Sequence, residues 1–186
     1  MLINNETIIK DTDPLIREKS EDVSLPLSKE DEELLFDMLT YVKESTDEEI
    51  AKEKNLRPAV GISAIQVGVK KKMCAIALRD ADGNFEYEYA LVNPRIVSYS
   101  IEKVYLKPGE GCLSVEKEHK GYIYRNKRIK VKAYDAINKK DIELKLKDYM
   151  AIIFQHELDH FKGILYYDHI NAENPFYEDS DAFVIE

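Results

Sequence analysis

The stretch Gln155-His156-Glu157-Leu158-Asp159-His160 decides how this chain is read. At roughly 3.6 residues per turn, side chains four apart lie within about 40° of each other on a helix, so His156 and His160 point the same way. Two imidazoles placed like this can share one metal ion. Glu157 stands about 100° round from His156, beside such an ion and not on it, where a carboxylate can take a proton from a water. This is the division of labour in the H-E-x-x-H pattern. The competing reading is a pair of histidines that happen to be four apart on an ordinary core helix.

The flanking sequence separates the two readings. A helix is predicted from about Asp148, as N-cap, through Met150, Ala151, Ile152, Ile153, Phe154, Leu158 and Phe161 to a stop at Gly163. It is apolar on nearly every side, which predicts a buried central helix. Two histidines and a glutamate facing a core are costly without a shared partner, and a divalent cation satisfies all three.

Composition sets the outer bounds. With 186 residues, 44% hydrophobic and 34% charged, the chain suffices for one well-buried domain, and a single domain over 1–186 is expected. No apolar run approaches the roughly 20 residues needed to cross a bilayer, and the opening Met1-Leu2-Ile3-Asn4-Asn5-Glu6 lacks the layout of a secretion signal. A cytoplasmic protein with no membrane partner is expected. There, Cys74 and Cys112 point to core or metal-binding roles more than to a disulfide. The net charge of −9 argues against a dedicated nucleic-acid site. The small basic clusters at Lys70-Lys71-Lys72 and Lys127-Arg128 read as solvated strand ends.

Outward from the central helix, the chain alternates helical and extended patterns. Asp13-Pro14-Leu15 is a turn entry. Ser28 precedes Leu34, Leu35, Met38, Leu39 and Val42 at helical spacing, so 29–44 is an amphipathic helix, followed by a charged excursion over 45–57. Pro58 ends it. The next run, Ala59-Val60-Gly61-Ile62-Ser63-Ala64-Ile65-Gln66, is built of small residues that let a backbone or ligand approach, most closely at Gly61. Tight loop packing is the plainer account of it, but a buried amide at Gln66 needs partners and can donate to a substrate oxygen. Met73–Leu78 is a buried strand with Cys74 as a core residue. Phe85–Val92 is a second strand, broken at Asn93-Pro94 and resumed over Ile96–Leu106. Ile129, Val131 and Ala133, then Ile142, Leu144 and Leu146, alternate with charged residues and form a hairpin turning near Asn138-Lys139-Lys140. The expected fold is a single α+β domain, with antiparallel strands wrapped around a central metal-binding helix and an amphipathic helix near the N-terminus.

Two histidines do not complete a catalytic metal site, which generally takes three protein ligands and leaves a position for water. Tyr166 occupies the place, ten residues after His156, where a metzincin-type third histidine would stand; His169 comes thirteen after. Glu173 and Glu178 sit in a segment that reads as a surface turn, and His119 is flanked by charges. Cys112, in Pro108-Gly109-Glu110-Gly111-Cys112-Leu113-Ser114, is the strongest remaining ligand. An isolated cysteine is more often a small buried residue; the preceding glycine and the incomplete metal site favour ligation here.

Taken together, Val60-Gly61-Ile62-Ser63-Ala64-Ile65-Gln66, Glu110-Gly111-Cys112-Leu113-Ser114 and Gln155-His156-Glu157-Leu158-Asp159-His160 resemble the three signature motifs of the peptide deformylases, in order and at compatible separations. The first motif departs from the family pattern, with Ala59 where a glycine is usual and Ser63 where an alanine is usual. The charged excursion before Pro58 and the terminal Phe183-Val184-Ile185 resemble the subclass common in Gram-positive bacteria, in which the chain's end adds a strand.

The resemblance implies an enzyme that removes the formyl group from N-terminal formylmethionine of nascent polypeptides, releasing formate. It implies Cys112, His156 and His160 as ligands of one divalent ion, ferrous iron in the cell, with zinc, nickel or cobalt as substitutes. It also implies Glu157 as proton shuttle, and the Gln66 side chain and Leu113 N–H as donors to the oxyanion. Ile153 and Tyr149 precede His156 by three and seven residues, so with Val60 they are expected to wall the pocket for the methionine side chain; Gly61 and Gly111 are expected to pair with an extended substrate by backbone. The expected partners are formylmethionyl peptides and nascent chains, with transient ribosome contact. Two alternatives stay open: a zinc metallopeptidase using a carboxylate or His169 as third ligand, and a non-catalytic metal-stabilised module docking on the ribosome.

Overall fold

The computed structural model describes residues 2–186. Near its N-terminus, helix α1 (Lys29–Ser45) starts where Ser28 Oγ accepts from the Asp31 N–H at 3.1 Å, and it buries Leu34, Leu35, Met38, Leu39 and Val42 along one face. Side chains as fully covered as Leu35 and Met38, both at 0% exposure, contribute roughly 1.5–3 kcal/mol each. The charged excursion contains a short helix, α2 (Glu48–Glu53), capped by Asp47, whose carboxylate accepts from the Glu49 and Ile50 N–H groups.

Five strands form the main sheet, antiparallel throughout: β1 (Gly61–Ser63), β2 (Met73–Arg79), β3 (Phe85–Tyr99), β6 (Arg128–Asp135) and β7 (Lys140–Lys147), in that spatial order. A second sheet joins β4 (Lys103–Leu106) to β5 (Arg125–Asn126) and, in parallel, to the terminal strand β8 (Phe183–Ile185). The main sheet separates two cores. Met73, Ala75 and Ala77 face α1, whereas Cys74 and Ile76 face the central helix α3 (Asp148–His160). Burial on both faces is why β2 reads as an unbroken apolar run.

Three boundaries differ from the sequence expectation. Asn93-Pro94 does not break its strand: β3 continues to Tyr99, and a bulge between Val92 and Arg95 absorbs the misfit. Pro94 has no N–H to give a ladder, and Asn93 takes φ +51° and uses its amide to bridge Val23, accepting from its N–H and donating to its carbonyl at 2.8 Å each. The resumed strand is therefore the tail of β3 plus a separate β4. At α3, Asp148 is the first helical residue and not the cap, with φ +53°; Lys147 precedes the helix and no side chain caps it.

The far end of α3 follows the expected stop. The Ile164 N–H reaches the Asp159 carbonyl (3.1 Å) and the Gly163 N–H the His160 carbonyl (3.1 Å), a Schellman arrangement around Gly163 at φ +71°. A Cβ there would also stand 2.0 Å from the Arg17 carbonyl oxygen. Midway, the Gln155 amide pairs with Asn126 of β5 as a strand would, accepting at 3.0 Å and donating at 2.9 Å. This bond fixes the helix between the two sheets.

Candidate metal centre and its cleft

Three segments far apart in sequence meet at one point. Helix α3 supplies His156 and His160, whose rings lie 5.2 Å apart between centroids. The loop after β4 supplies Cys112, 7% exposed, with Sγ 3.4 Å from His160 Nε2. One donor atom from each of the three residues falls within 4.8 Å of the others. On a tetrahedral ion, ligands at the usual ~2.3 Å for sulfur and ~2.1 Å for nitrogen stand about 3.5 Å apart, so the donor set fits a single divalent cation. The Cys112 loop is pinned from outside: Asp11 N–H to the Ser114 carbonyl (2.7 Å), Lys10 Nζ to the Leu113 carbonyl (3.2 Å) and Arg57 Nη1 to the Val115 carbonyl (2.9 Å).

Neighbouring charges and burial shift the ionisation of the side chains around this point. Burial alone would push the Cys112 thiol up, but the field of His160 and hydrogen bonds from His156 and His160 outweigh it and hold the thiol well below its ordinary range. A lowered thiol loses its proton more readily, and the thiolate is the metal-binding form. Burial likewise opposes ionisation of Glu110, yet hydrogen bonds from His156 and Arg125 bring its carboxyl down to about 2. Glu110 is therefore an acceptor only. His156 Nδ1 donates to its Oε2 at 2.8 Å, which leaves Nε2 as the ring nitrogen that could face a metal ion.

Behind His156 lies a buried ion-pair chain that the sequence did not announce. Arg125, 4% exposed, grips Glu110 through two 2.9 Å bonds and reaches Asp159 Oδ2 at 2.5 Å. His169 Nε2 meets the same Asp159 oxygen at 2.7 Å. Burial raises the Asp159 carboxyl, but His169 and Arg125 prevail and hold it at about 2. His169 is thus engaged in this support and is not among the clustered donors, which removes it as a third ligand. Glu110 and Asp159 lie inside quoted motifs, but nothing in their spacing shows that Arg125 joins them. His119, expected to be exposed, is half-buried, its ring 4.2 Å from that of Tyr167.

The third segment is β1 and the 3-10 turn that follows it, Ala64–Val67. The turn aims Gln66 inward: its Oε1 accepts from the Ser63 N–H (2.9 Å), and its Nε2 points to Ser114 Oγ (3.2 Å) and Cys112 Sγ (3.5 Å). Glu157 is 4% exposed, and burial pushes its carboxyl up. Its Oε1 stands so near β1 that a Cβ on Gly61 would be 2.5 Å away. Gly61 is a glycine because the carboxylate occupies the space of a side chain. At Gly111, by contrast, an added Cβ would meet nothing within 4 Å.

A cleft of about 630 Å³ opens over this point, lined by Val60, Gly61, Gly111, Tyr149, Ile153 and Ile185 of β8. Gln66, Cys112, Leu113, His156 and Glu157 also face it. His160 lies deeper, 1% exposed, and its Nδ1 has no partner among the described residues. The Leu113 side chain packs into the α1 core, so only its backbone is available to the cleft.

Residues 5–176 match the family model for polypeptide deformylase. Peptide deformylase 2 of Bacillus cereus is 47% identical over 185 residues, covering 100% of both chains. Peptide deformylase of Staphylococcus epidermidis is 44% identical over 181 residues, 97% of this chain and 98% of its own. Among solved structures, a probable peptide deformylase from Synechococcus phage S-SSM7 superposes with a TM-score of 0.70 at 31% identity, covering 87% of this chain and 97% of its own. Peptide deformylase from Ehrlichia chaffeensis gives 0.71 at 28% identity over 93% and 90%. The chain belongs to the polypeptide deformylase family, alongside the enzymes of Bacillus and Staphylococcus.

Proposed function

We propose that this deformylase holds one divalent ion on Cys112, His156 and His160 and uses Glu157, which does not bind the ion, to move the proton during hydrolysis of N-formylmethionyl peptides. The observation that carries the reading is the convergence of one cysteine sulfur and two imidazoles within 4.8 Å, with a buried carboxylate beside them and a cleft above. When bound, the ion supplies Lewis-acid polarisation of the formyl carbonyl and of a water. Glu157 accepts the proton of the attacking water, and its raised affinity for protons suits it to the task. The Gln66 Nε2 and the Leu113 N–H donate to the oxygen that gains charge, at about 3 kcal/mol per donor. Glu157 then returns the proton to the departing amine nitrogen, and formate leaves.

The substrate lies extended between Gly61 and Gly111. The β1 strand is an edge of its sheet, with the Val60 carbonyl already accepting from Ala77, so its outer side is free to pair with a peptide. Val60, Tyr149 and Ile153 form the apolar wall for the methionine side chain. The catalytic unit is a single domain over 1–186. The ion is ferrous iron in the cell, with zinc, nickel and cobalt as substitutes, since a sulfur and two nitrogens accept them all. Among the described residues no helix is long and apolar enough to cross a membrane; we place the enzyme in the cytoplasm, in transient contact with the ribosome. The test is formate release from a formyl-Met peptide with and without a chelator. Release that stops with the chelator and returns with added metal supports the reading; release indifferent to the chelator overturns it.

A further inference from the structure

Strand β1 touches Glu157 twice. Gly61 and Ser63 are two apart, so they present the same face of the strand, and that face meets α3. At Gly61 the missing side chain makes room for Glu157 Oε1. At Ser63 the hydroxyl reaches Glu157 Oε2 at 2.8 Å and the Glu157 carbonyl oxygen at 2.9 Å. Ser63 is fully buried and stands at the start of the 3-10 turn. Both acceptors that its hydroxyl faces belong to one residue, 94 positions away.

We propose that Ser63 is a positioning residue for deformylation: by holding Oε2 it fixes the plane of the Glu157 carboxylate and assigns the proton transfer to Oε1. The inference rests on Glu157 acting as proton shuttle. A glutamate's terminal torsion is broad and nearly two-fold, so without a tether its two oxygens exchange roles. A hydroxyl offers one proton. While Glu157 is ionised, the charged Oε2 at 2.8 Å takes that proton ahead of the neutral carbonyl oxygen at 2.9 Å. When Oε1 takes a proton from the attacking water, Oε2 remains an acceptor and the Ser63 bond persists. Oε1 then releases the same proton to the leaving nitrogen, so the carboxyl completes the cycle without rotating. Ser63 stands where the family resemblance leads one to expect alanine, which makes this tether a feature of the present chain.

The test is steady-state deformylation of a formyl-Met peptide by Ser63→Ala and Ser63→Thr, with metal content and thermal melting measured alongside. Loss of a hydrogen bond to an ionised group at the reacting centre is expected to lower kcat about tenfold in Ser63→Ala, with KM, bound metal and Tm close to the parent. Ser63→Thr keeps the hydroxyl and is expected to recover most of that loss. A kcat per bound metal within about twofold of the parent in Ser63→Ala, or a loss no smaller in folded Ser63→Thr, overturns the proposal. If the added methyl unfolds Ser63→Thr, the Ser63→Ala result decides alone. Glu157→Gln, run in parallel, separates the two levels. If it keeps turnover, the reading of Glu157 itself fails; if it loses turnover while Ser63→Ala does not, only the role of Ser63 fails.

Discussion

Helix α3 and strand β1 approach the same carboxylate, but they carry their information differently. In α3 the chemistry is written in spacing: His156 and His160 share a face because they are four apart, whatever the rest of the chain does. In β1, Gly61 and Ser63 are small, and their significance depends on Glu157, which lies 94 positions from Ser63 in sequence. Spacing within a helix reveals groups that act together. A glycine or serine in a short strand reveals nothing until the fold brings its partner across.

This contrast can be tested from both sides. The largest effect is expected on the metal: Cys112→Ala removes the only sulfur of the donor cluster, and should lose stoichiometric metal and lower formate release by about a thousandfold or more, as measured by metal analysis and assay. Next is Gly61→Ala. Its methyl needs space now filled by Glu157 Oε1, and a shift of about 1 Å in a reacting group costs on the order of a hundredfold. Steady-state kinetics should show that loss in kcat, with metal content retained. Smallest is Gly111→Ala, where nothing lies within 4 Å of the added carbon. Thermal melting should place its stability within about 0.5 kcal/mol of the parent. Equal losses at the two glycines would break the distinction drawn between them.

The same contrast explains what the sequence disclosed. Helices α1 and α3 and the β6–β7 hairpin follow from hydrophobic period, because each buries a stripe or an alternate face. Asn93-Pro94 misled, since a bulge can carry a proline through a strand when an asparagine side chain finds backbone partners elsewhere. Asp148 looked like a cap by residue type, but its side chain makes no capping bond. Around the site, the ligand candidates came from motifs, whereas the support behind them did not. Arg125 sits in a run of ordinary strand residues, and only the packing of β5 on α3 shows that it joins Glu110 to Asp159. Ser63 stood out as a departure from a pattern, without any sign of what its hydroxyl touches.

The account depends most on a division of labour at the metal: three residues hold the ion, and a fourth, beside it, moves the proton. Formate released per bound metal by Glu157→Gln tests this most directly. The variant is predicted to keep one equivalent of metal and to lose about a hundredfold or more in turnover. Turnover per metal equal to that of the parent would contradict the account.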